Sequence, residues 1–369
     1  MAKAKVLLKD ELFNIETISV LSRAIKREYK PLDEIAFIDE IVTPFYKYEL
    51  KERIYWISEV IKRHLPDSYV ESVNILLDSL KETDGEGMFA FSSYPDFVAK
   101  NGCNQEHLDF SLDMLGEFTK MFSAEFAIRF FINNFPEVTY KKMIEWSLSN
   151  NVHQRRLASE GLRPKLPWAK GISFDIKKGL KPLDNLYYDN ERYVTRSVAN
   201  HLNDISKIDP ELVLSILHKW KKSNKQNTKE MEYIISHSLR TLVKKGHKET
   251  LEFLGYSYSP NIVISNIFIE NPNISIGDSI QFSFDVNALK EEQLVIDFMI
   301  IYPTIKNRKS SKVFKIKKII LKKDNSVKIS KRHAFKVITT KKLYSGEHSL
   351  VIQINGKEYG REVFNLSVE

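Results

Sequence analysis

The sequence predicts a chain of two architectures, an α-helical repeat solenoid followed by an all-β sandwich. Three observations predict it. The apolar period changes from helical to alternating near Gly255. A helical segment repeats at an offset of 40 residues. Short β-rich runs separated by turn residues fill the rest of the chain, about seven of them in about 110 residues.

The helical part is read from its stripes. Leu108, Leu112, Leu115 and Phe118, with Phe122 beyond, recur at spacings of three and four. Val213, Leu214, Leu217 and Trp220 do the same. Prolines 66, 136, 164, 167 and 210 fall between such stretches, where helices start or stop. Pro210 follows Asp209, a first-turn proline behind a capping side chain.

The repeat lies inside this part. Arg156-Leu-Ala-Ser-Glu-Gly-Leu162 overlays Arg196-Ser-Val-Ala-Asn-His-Leu202, and a further step of 40 lands on Leu239, Arg240 and Leu242. Polar turn residues precede each of the first two copies, Ser149-Asn150-Asn151 and Asp189-Asn190-Glu191. A period near 40 built from helix pairs points to HEAT-like repeats. Beyond Gly255 the runs Ile262-Val-Ile264, Ile267-Phe-Ile269, Ile280–Phe284 and Val351–Ile354 alternate with turn signals at 271–273, 277–278, 345–346 and 355–356. That rhythm is immunoglobulin-like, and it divides the chain into residues 1–257 and 258–369.

Composition narrows the functional classes. The chain has 369 residues, 43% hydrophobic and 28% charged, which excludes whole-chain disorder and collagen-like or coiled-coil designs. Its one cysteine, Cys103, can form neither an internal disulfide nor a cysteine-based zinc site. The first residues lack the apolar centre of a signal peptide, and no segment approaches a membrane helix. A cytoplasmic protein is expected. Net charge is +8, but residues 305–342 alone hold 15 Lys plus Arg against Asp324, a local +14. Subtracting that from +8 leaves −6 for the remainder, so the positive charge belongs to one segment.

Phosphate-binding loops, dinucleotide fingerprints, HExxH and GxSxG are absent, and the scattered histidines predict no metal site. The search for chemistry therefore moves to polar residues that repeat packing does not require. Arg155, Arg156, Glu160, Arg163, Lys165 and Trp168 gather around the end of the first copy. Arg156 and Glu160, four apart, share a helix face as a solvated pair or as part of an anion-binding surface. In the second copy Arg196, Asn200 and Asp204 fall at successive fours, lining a groove or forming an inter-repeat hydrogen-bond ladder. Glu125 sits in an apolar stretch with Arg129 four residues on, a buried pair or a poised catalytic group.

Three strings then agree in order and spacing: 155–168, 196–205 and 238–247. They resemble the DNA alkylation repair family of HEAT-like-repeat glycosylases, in its AlkC branch, from about Phe89 to Gly255. Members of that branch can carry a C-terminal immunoglobulin-like domain. The stretch 145–151 matches the family's turn only loosely. The resemblance implies a monofunctional alkylbase DNA glycosylase that starts base excision repair. It would remove cationic bases, 3-methyladenine and 3-methylcytosine, from double-stranded DNA without deep base flipping. It further implies a bacterial, nucleoid-associated monomer with no membrane partner, no metal and no organic cofactor.

By family position Glu125 is the first choice for the catalytic carboxylate and Glu160 the second, with Trp168 giving an aromatic face to sugar or base. Arg155, Arg156, Arg163 and Arg196, with Lys165, would hold flanking phosphates. Asn200, His201 and Asp204 would line the groove. In the β part, 313–323 reads as a strand flanked by lysines. There Lys315, Lys317, Lys318, Lys322 and Lys323 would attract the backbone or, in the plainer reading, discourage edge-to-edge aggregation. The alternative for the whole chain is a non-catalytic HEAT-repeat module that binds DNA or protein.

Overall fold

A computed structural model of the chain describes residues 6–81, 88–173, 175–303, 310–337 and 342–368. Two compact units emerge, one of Met1–Ile208 with Leu217–Ser238, the other of Asp209–Ile216 with Leu239–Glu369. Among the described residues no helix is long and apolar enough to cross a membrane. The lysines and arginines at 306–309 and Lys341 of the basic segment lie outside the described residues.

The first unit is helical and follows the predicted stripes. The Leu108–Phe118 helix buries Leu108, Leu112, Leu115 and Phe118 and then stops. Phe122 therefore falls beyond the helix and is free to face the cleft described below. Asp209 accepts from the Leu212 amide at 2.9 Å as the Pro210–Ser223 helix opens, the cap that the Asp-Pro pair predicted.

The offset of 40 is a packing distance. The Val152–Glu160 and Arg192–Ile205 helices lie side by side, and Thr228–Ser238 packs beyond them. Ser197 and Ala199 are small enough to bring the first two helices close. Ser197 Oγ donates to Glu160 Oε2 at 2.6 Å and lies 2.9 Å from Ser159 Oγ, and His201 Nδ1 meets the Ser159 carbonyl at 3.0 Å. The next step repeats the pattern with Arg192 and Thr195 on Glu230, and Asn200 on His237 at 3.0 Å. The third copy departs from the expectation. Its helix ends at Ser238, and Arg240 opens a separate five-residue helix, Arg240–Lys244.

The β part holds eight strands among the described residues: β1 (Ile262–Ile269), β2 (Asn273–Ser275), β3 (Ser279–Ala288), β4 (Glu292–Tyr302), β5 (Ser310–Leu321), β6 (Ser326–Ala334), β7 (Gly346–Ile354) and β8 (Lys357–Ser367). They form two sheets, ordered β1-β3-β6 and β2-β8-β7-β4-β5, antiparallel except for β2 beside β8. The two runs at 262–264 and 267–269 are one strand. A bulge with Asn266 at φ 53° interrupts its register on β3. Phe282, Phe284, Phe298, Phe335 and Phe364 fill the space between the sheets. His333 and His348 sit within this aromatic core beside Phe335.

The Asn355-Gly356 turn docks as well as reverses the chain. Asn355 is buried, its side chain accepting from the Val295 amide and donating to the Ser257 carbonyl, both at 2.8 Å. Gly356 and Gly246, both with positive φ, meet backbone to backbone; a Cβ on Gly356 would fall 2.2 Å from the Gly246 Cα. Only glycine fits there.

One buried group in this unit is under electrostatic stress. Asp297 on β4 is 2% exposed, and its Oδ1 has no hydrogen-bond partner among the described residues; the same holds for Oε1 of Gln353, its neighbour on β7. Burial pushes the Asp297 carboxyl up to about 6, against the pull of Lys244, Lys315 and Lys318. The folded state thus holds this proton more tightly than the unfolded chain. Its stabilising share is present below the ordinary aspartate range and is lost as pH rises through about 6. Asp297→Asn is therefore expected to raise the Tm at about pH 8 and leave it nearly unchanged at about pH 4, as thermal melts at the two pH values would read.

Candidate active site

The helical unit contains a cleft of about 420 Å³. Leu50, Ile54, Phe89, Pro95, Phe122 and Phe126 make its apolar wall, and Glu125, Arg156, Glu160, Trp168 and Tyr193 its polar side. Apolar walls with a few convergent polar groups are what ligand sites usually present.

Glu125 stands in the turn just before the Ile128–Asn134 helix. Its side chain is 18% exposed. Oε2 accepts from Ser123 Oγ at 2.9 Å and lies 2.8 Å from Arg156 Nη2. Arg156 Nη1 in turn donates to Ser123 Oγ at 2.9 Å, so Glu125, Ser123 and Arg156 close a small ring of bonds. Oε1 of Glu125 carries no hydrogen bond among the described residues. One oxygen is anchored and the other is available.

Arg129, four residues on, is not the partner that the spacing suggested. It is 1% exposed and donates to three main-chain carbonyls instead: Gly161 at 3.0 Å, Arg163 at 2.9 Å and Lys170. Glu125 precedes the helix that carries Arg129, so helical spacing does not apply to the pair. Burial and the neighbouring Arg163 lower the Arg129 guanidinium to about 10. Its role is to tie the end of the Val152–Glu160 helix to the chain that follows.

From Arg156 a line of alternating charges runs inward. Arg156 Nη2 lies 3.9 Å from Glu160 Oε1, and Arg163 Nη1 reaches the same oxygen at 2.5 Å. Arg163 Nε continues to Asp204 Oδ2 at 2.9 Å, and Lys207 closes the run on Asp204 Oδ1 at 3.0 Å. Glu160, Arg163 and Asp204 are buried. For both arginines burial works against the charge, and the facing carboxylates more than offset it, so both guanidinium pKa values are raised. Both Glu160 oxygens are occupied, Oε2 by Ser197. Glu160, at the buried inner end of the cleft lining, orients Arg156 and Arg163.

The remaining expected residues divide by exposure. Arg155 is committed to Asp189 by two bonds, at 2.6 and 3.2 Å, and to the carbonyls of Ser149 and Asn150. His201 is 1% exposed, and burial beside Arg163 lowers it to about 4, a neutral ring. Asn200 bonds His237, and Asp204 faces the interior. Asn200 and Asp204 bond between helices, as in the ladder reading of their spacing, while Arg196 of the same line does not. Arg163, expected at a phosphate, is likewise internal. Arg196 and Lys165 are exposed, with no carboxylate partner among the described residues.

Trp168 is 77% exposed and adopts φ 62°, a backbone region that bulky side chains rarely enter. Among the lining residues that the sequence did not single out are Lys51, Tyr55, Phe126 and Tyr193. Tyr193 stacks under Arg156 at 4.9 Å and meets His153 edge to face. Its signal was present, an aromatic three residues before Arg196 at the start of the second copy.

In the β unit, β5 and β6 are edge strands of different sheets joined by the turn at 322–325. Lys315, Lys318, Lys322 and Lys323 are exposed along this edge, as are Lys328, Lys331 and Arg332. Lys317, half-buried, sits where the β4–β5 register shifts. Among the described residues no trio of His, Cys, Asp or Glu is placed to hold a metal ion.

Comparison with known proteins places this geometry. Residues 263–368 match the family described as "Uncharacterised protein YhaZ, C-terminal Ig-like domain". The chain is 33% identical over 351 residues to YhaZ of Bacillus subtilis (strain 168), spanning 94% of this chain and 96% of that protein. Among solved structures it is similar to the Pseudomonas fluorescens alkylpurine DNA glycosylase AlkC bound to DNA containing an abasic site analog, with a TM-score of 0.89 and 30% identity. That likeness covers 98% of this chain and all of the other. On this identity and coverage, the chain belongs to the family of AlkC and YhaZ, helical-repeat proteins with a C-terminal immunoglobulin-like domain.

Proposed function

We propose that the protein is a monofunctional alkylbase DNA glycosylase that removes cationic bases, 3-methyladenine first and 3-methylcytosine second, from double-stranded DNA. The observation that carries this reading is Glu125, a carboxylate with one anchored and one available oxygen, on the same cleft as an exposed tryptophan.

The chemistry asks for little more. An N3-alkylated adenine is already positively charged, so the N-glycosidic bond breaks with its electron pair leaving on the base and neutralising it. Positive charge develops on the sugar, as in glycoside hydrolysis. Glu125 stabilises that charge and accepts the proton of the water whose oxygen bonds the anomeric carbon. Trp168 offers its indole face to the sugar or the base. Arg156 fixes the Glu125 carboxylate, and Glu160 fixes Arg156. A half-buried Glu125 opening on the cleft and an exposed Trp168 suit a lesion attacked near the duplex, not swung deep into the protein.

Phosphate contacts fall to the exposed cations. In the helical part these are Arg196 and Lys165, while Arg155 and Arg163 support the cleft from within. We assign lesion chemistry to residues 1–257 and backbone attraction to 258–369, where the β5–β6 edge supplies Lys315, Lys317, Lys318, Lys322 and Lys323. No cofactor is invoked, and the protein acts as a nucleoid-associated monomer.

Glu125→Gln should lower single-turnover release of free 3-methyladenine from duplex DNA by about 10²–10⁴-fold, the usual worth of a positioned acid or base. Release at the parental rate would remove Glu125 from this role. DNA binding without release by the parental protein would favour the non-catalytic module. Replacing Lys315, Lys317 and Lys318 together by Gln should weaken DNA binding and reduce the salt slope by up to about 3, at about 0.9 per phosphate contact. An unchanged slope would return these lysines to protecting the sheet edge.

A further inference from the structure

Trp168 holds a left-handed backbone that its own side chain disfavours, so something outside the residue must hold it there. The stretch after the Val152–Glu160 helix is tied down on both sides of Trp168. Arg129 fixes the carbonyls of Gly161, Arg163 and Lys170, and Asn133 fixes Gly171 at 2.9 Å and the Ser173 amide at 3.0 Å. At the Trp168 peptide itself the tie is Lys51, whose Nζ donates to the Trp168 carbonyl from 117 residues away in the chain.

Nothing local explains this lysine. It is the second residue of the Leu50–His64 helix, where the helix dipole opposes a cation. It has no carboxylate partner among the described residues. Its ammonium lies instead 5.2 Å from the Phe126 ring and 5.6 Å from the Tyr55 ring, cation–π distances. Phe126 directly follows Glu125. Lys51 thus touches both segments that carry the proposed reacting groups, one through a main-chain carbonyl and the other through an aromatic face.

We infer that Lys51 is a positioning residue: its ammonium braces the Trp168 peptide against the Glu125–Phe126 turn and fixes the two sides of the cleft mouth relative to each other. The inference rests on the roles proposed above for Glu125 and Trp168, but its test has a readout that needs no catalysis. Trp146 and Trp220 are buried and Trp56 is half-buried. In a Trp56→Phe background the buried Trp146 and Trp220 follow overall tumbling, so the fast component of the time-resolved fluorescence anisotropy reports on Trp168.

Lys51→Met should add fast local motion to the Trp168 decay. It should also slow single-turnover base release by about tenfold or more, since small misplacements of reacting groups are costly, while DNA affinity stays within about twofold. Lys51→Arg, which keeps a cationic donor, should restore both readouts towards the parental values. An unchanged anisotropy decay overturns the inference. So does a loss confined to DNA affinity at an unchanged release rate, which would make Lys51 a phosphate contact. If the parental protein releases no base, the glycosylase reading fails, and the anisotropy of Lys51→Met alone decides the brace.

Discussion

The candidate site depends on one line of alternating charge, Glu125–Arg156–Glu160–Arg163–Asp204, which crosses from the cleft into the space between repeats. Its inner members are buried, and burying charge is costly unless every ion is paired. Here each is. Glu160 accepts from Arg163 and Ser197, and Asp204 from Arg163 and Lys207. Losing Glu160 or Asp204 would leave the buried Arg163 with one carboxylate in place of two, and breaking a buried pair typically costs about 3–5 kcal/mol. Hydrophobic residues of similar volume would hold the helices together as well. They would not hold a guanidinium fork at a fixed angle beneath the Glu125 carboxylate.

That line also explains why so many polar residues of the repeats are internal. Ser197 bonds Ser159, His201 Nδ1 the Ser159 carbonyl and Asn200 the His237 ring, all between helices. They let the repeats approach closely while leaving Glu125, Trp168, Arg196 and Lys165 on the accessible side. The β unit manages charge in the opposite way. Cations line the outer edge of β5 and β6, and among the described residues those have no carboxylate partner apart from the weak Lys323–Asp324 contact at 3.9 Å. Charge there stays exposed and solvated.

Much of the fold was legible because it is periodic. Stripes at three and four marked the helices, the offset of 40 marked their stacking, and paired turn residues marked the strands. The bulge at Asn266, which joins two predicted runs into β1, was hidden because a single residue in a left-handed conformation leaves no mark on apolar alternation. The site was legible only where it is local. Arg156 and Glu160 could be paired by helical spacing. Arg163 and Asp204, 41 residues apart, pair through the same offset that revealed the repeat, so the signal existed in the register and not in the residue types. Lys51, Tyr55 and Phe126 come from segments outside the repeat, and no spacing rule links them to residue 168. Arg129 misled because Glu125 lies before its helix and not on it.

The central claim is that the buried charge line sets the catalytic geometry of Glu125. Asp204 tests it most directly, because it anchors the line, is buried, and does not line the cleft. Single-turnover release of 3-methyladenine from duplex DNA by folded Asp204→Asn should fall by about tenfold or more, a change of about 1.4 kcal/mol in the barrier, with DNA affinity nearly unchanged. A folded Asp204→Asn protein that releases the base at the parental rate would contradict the account.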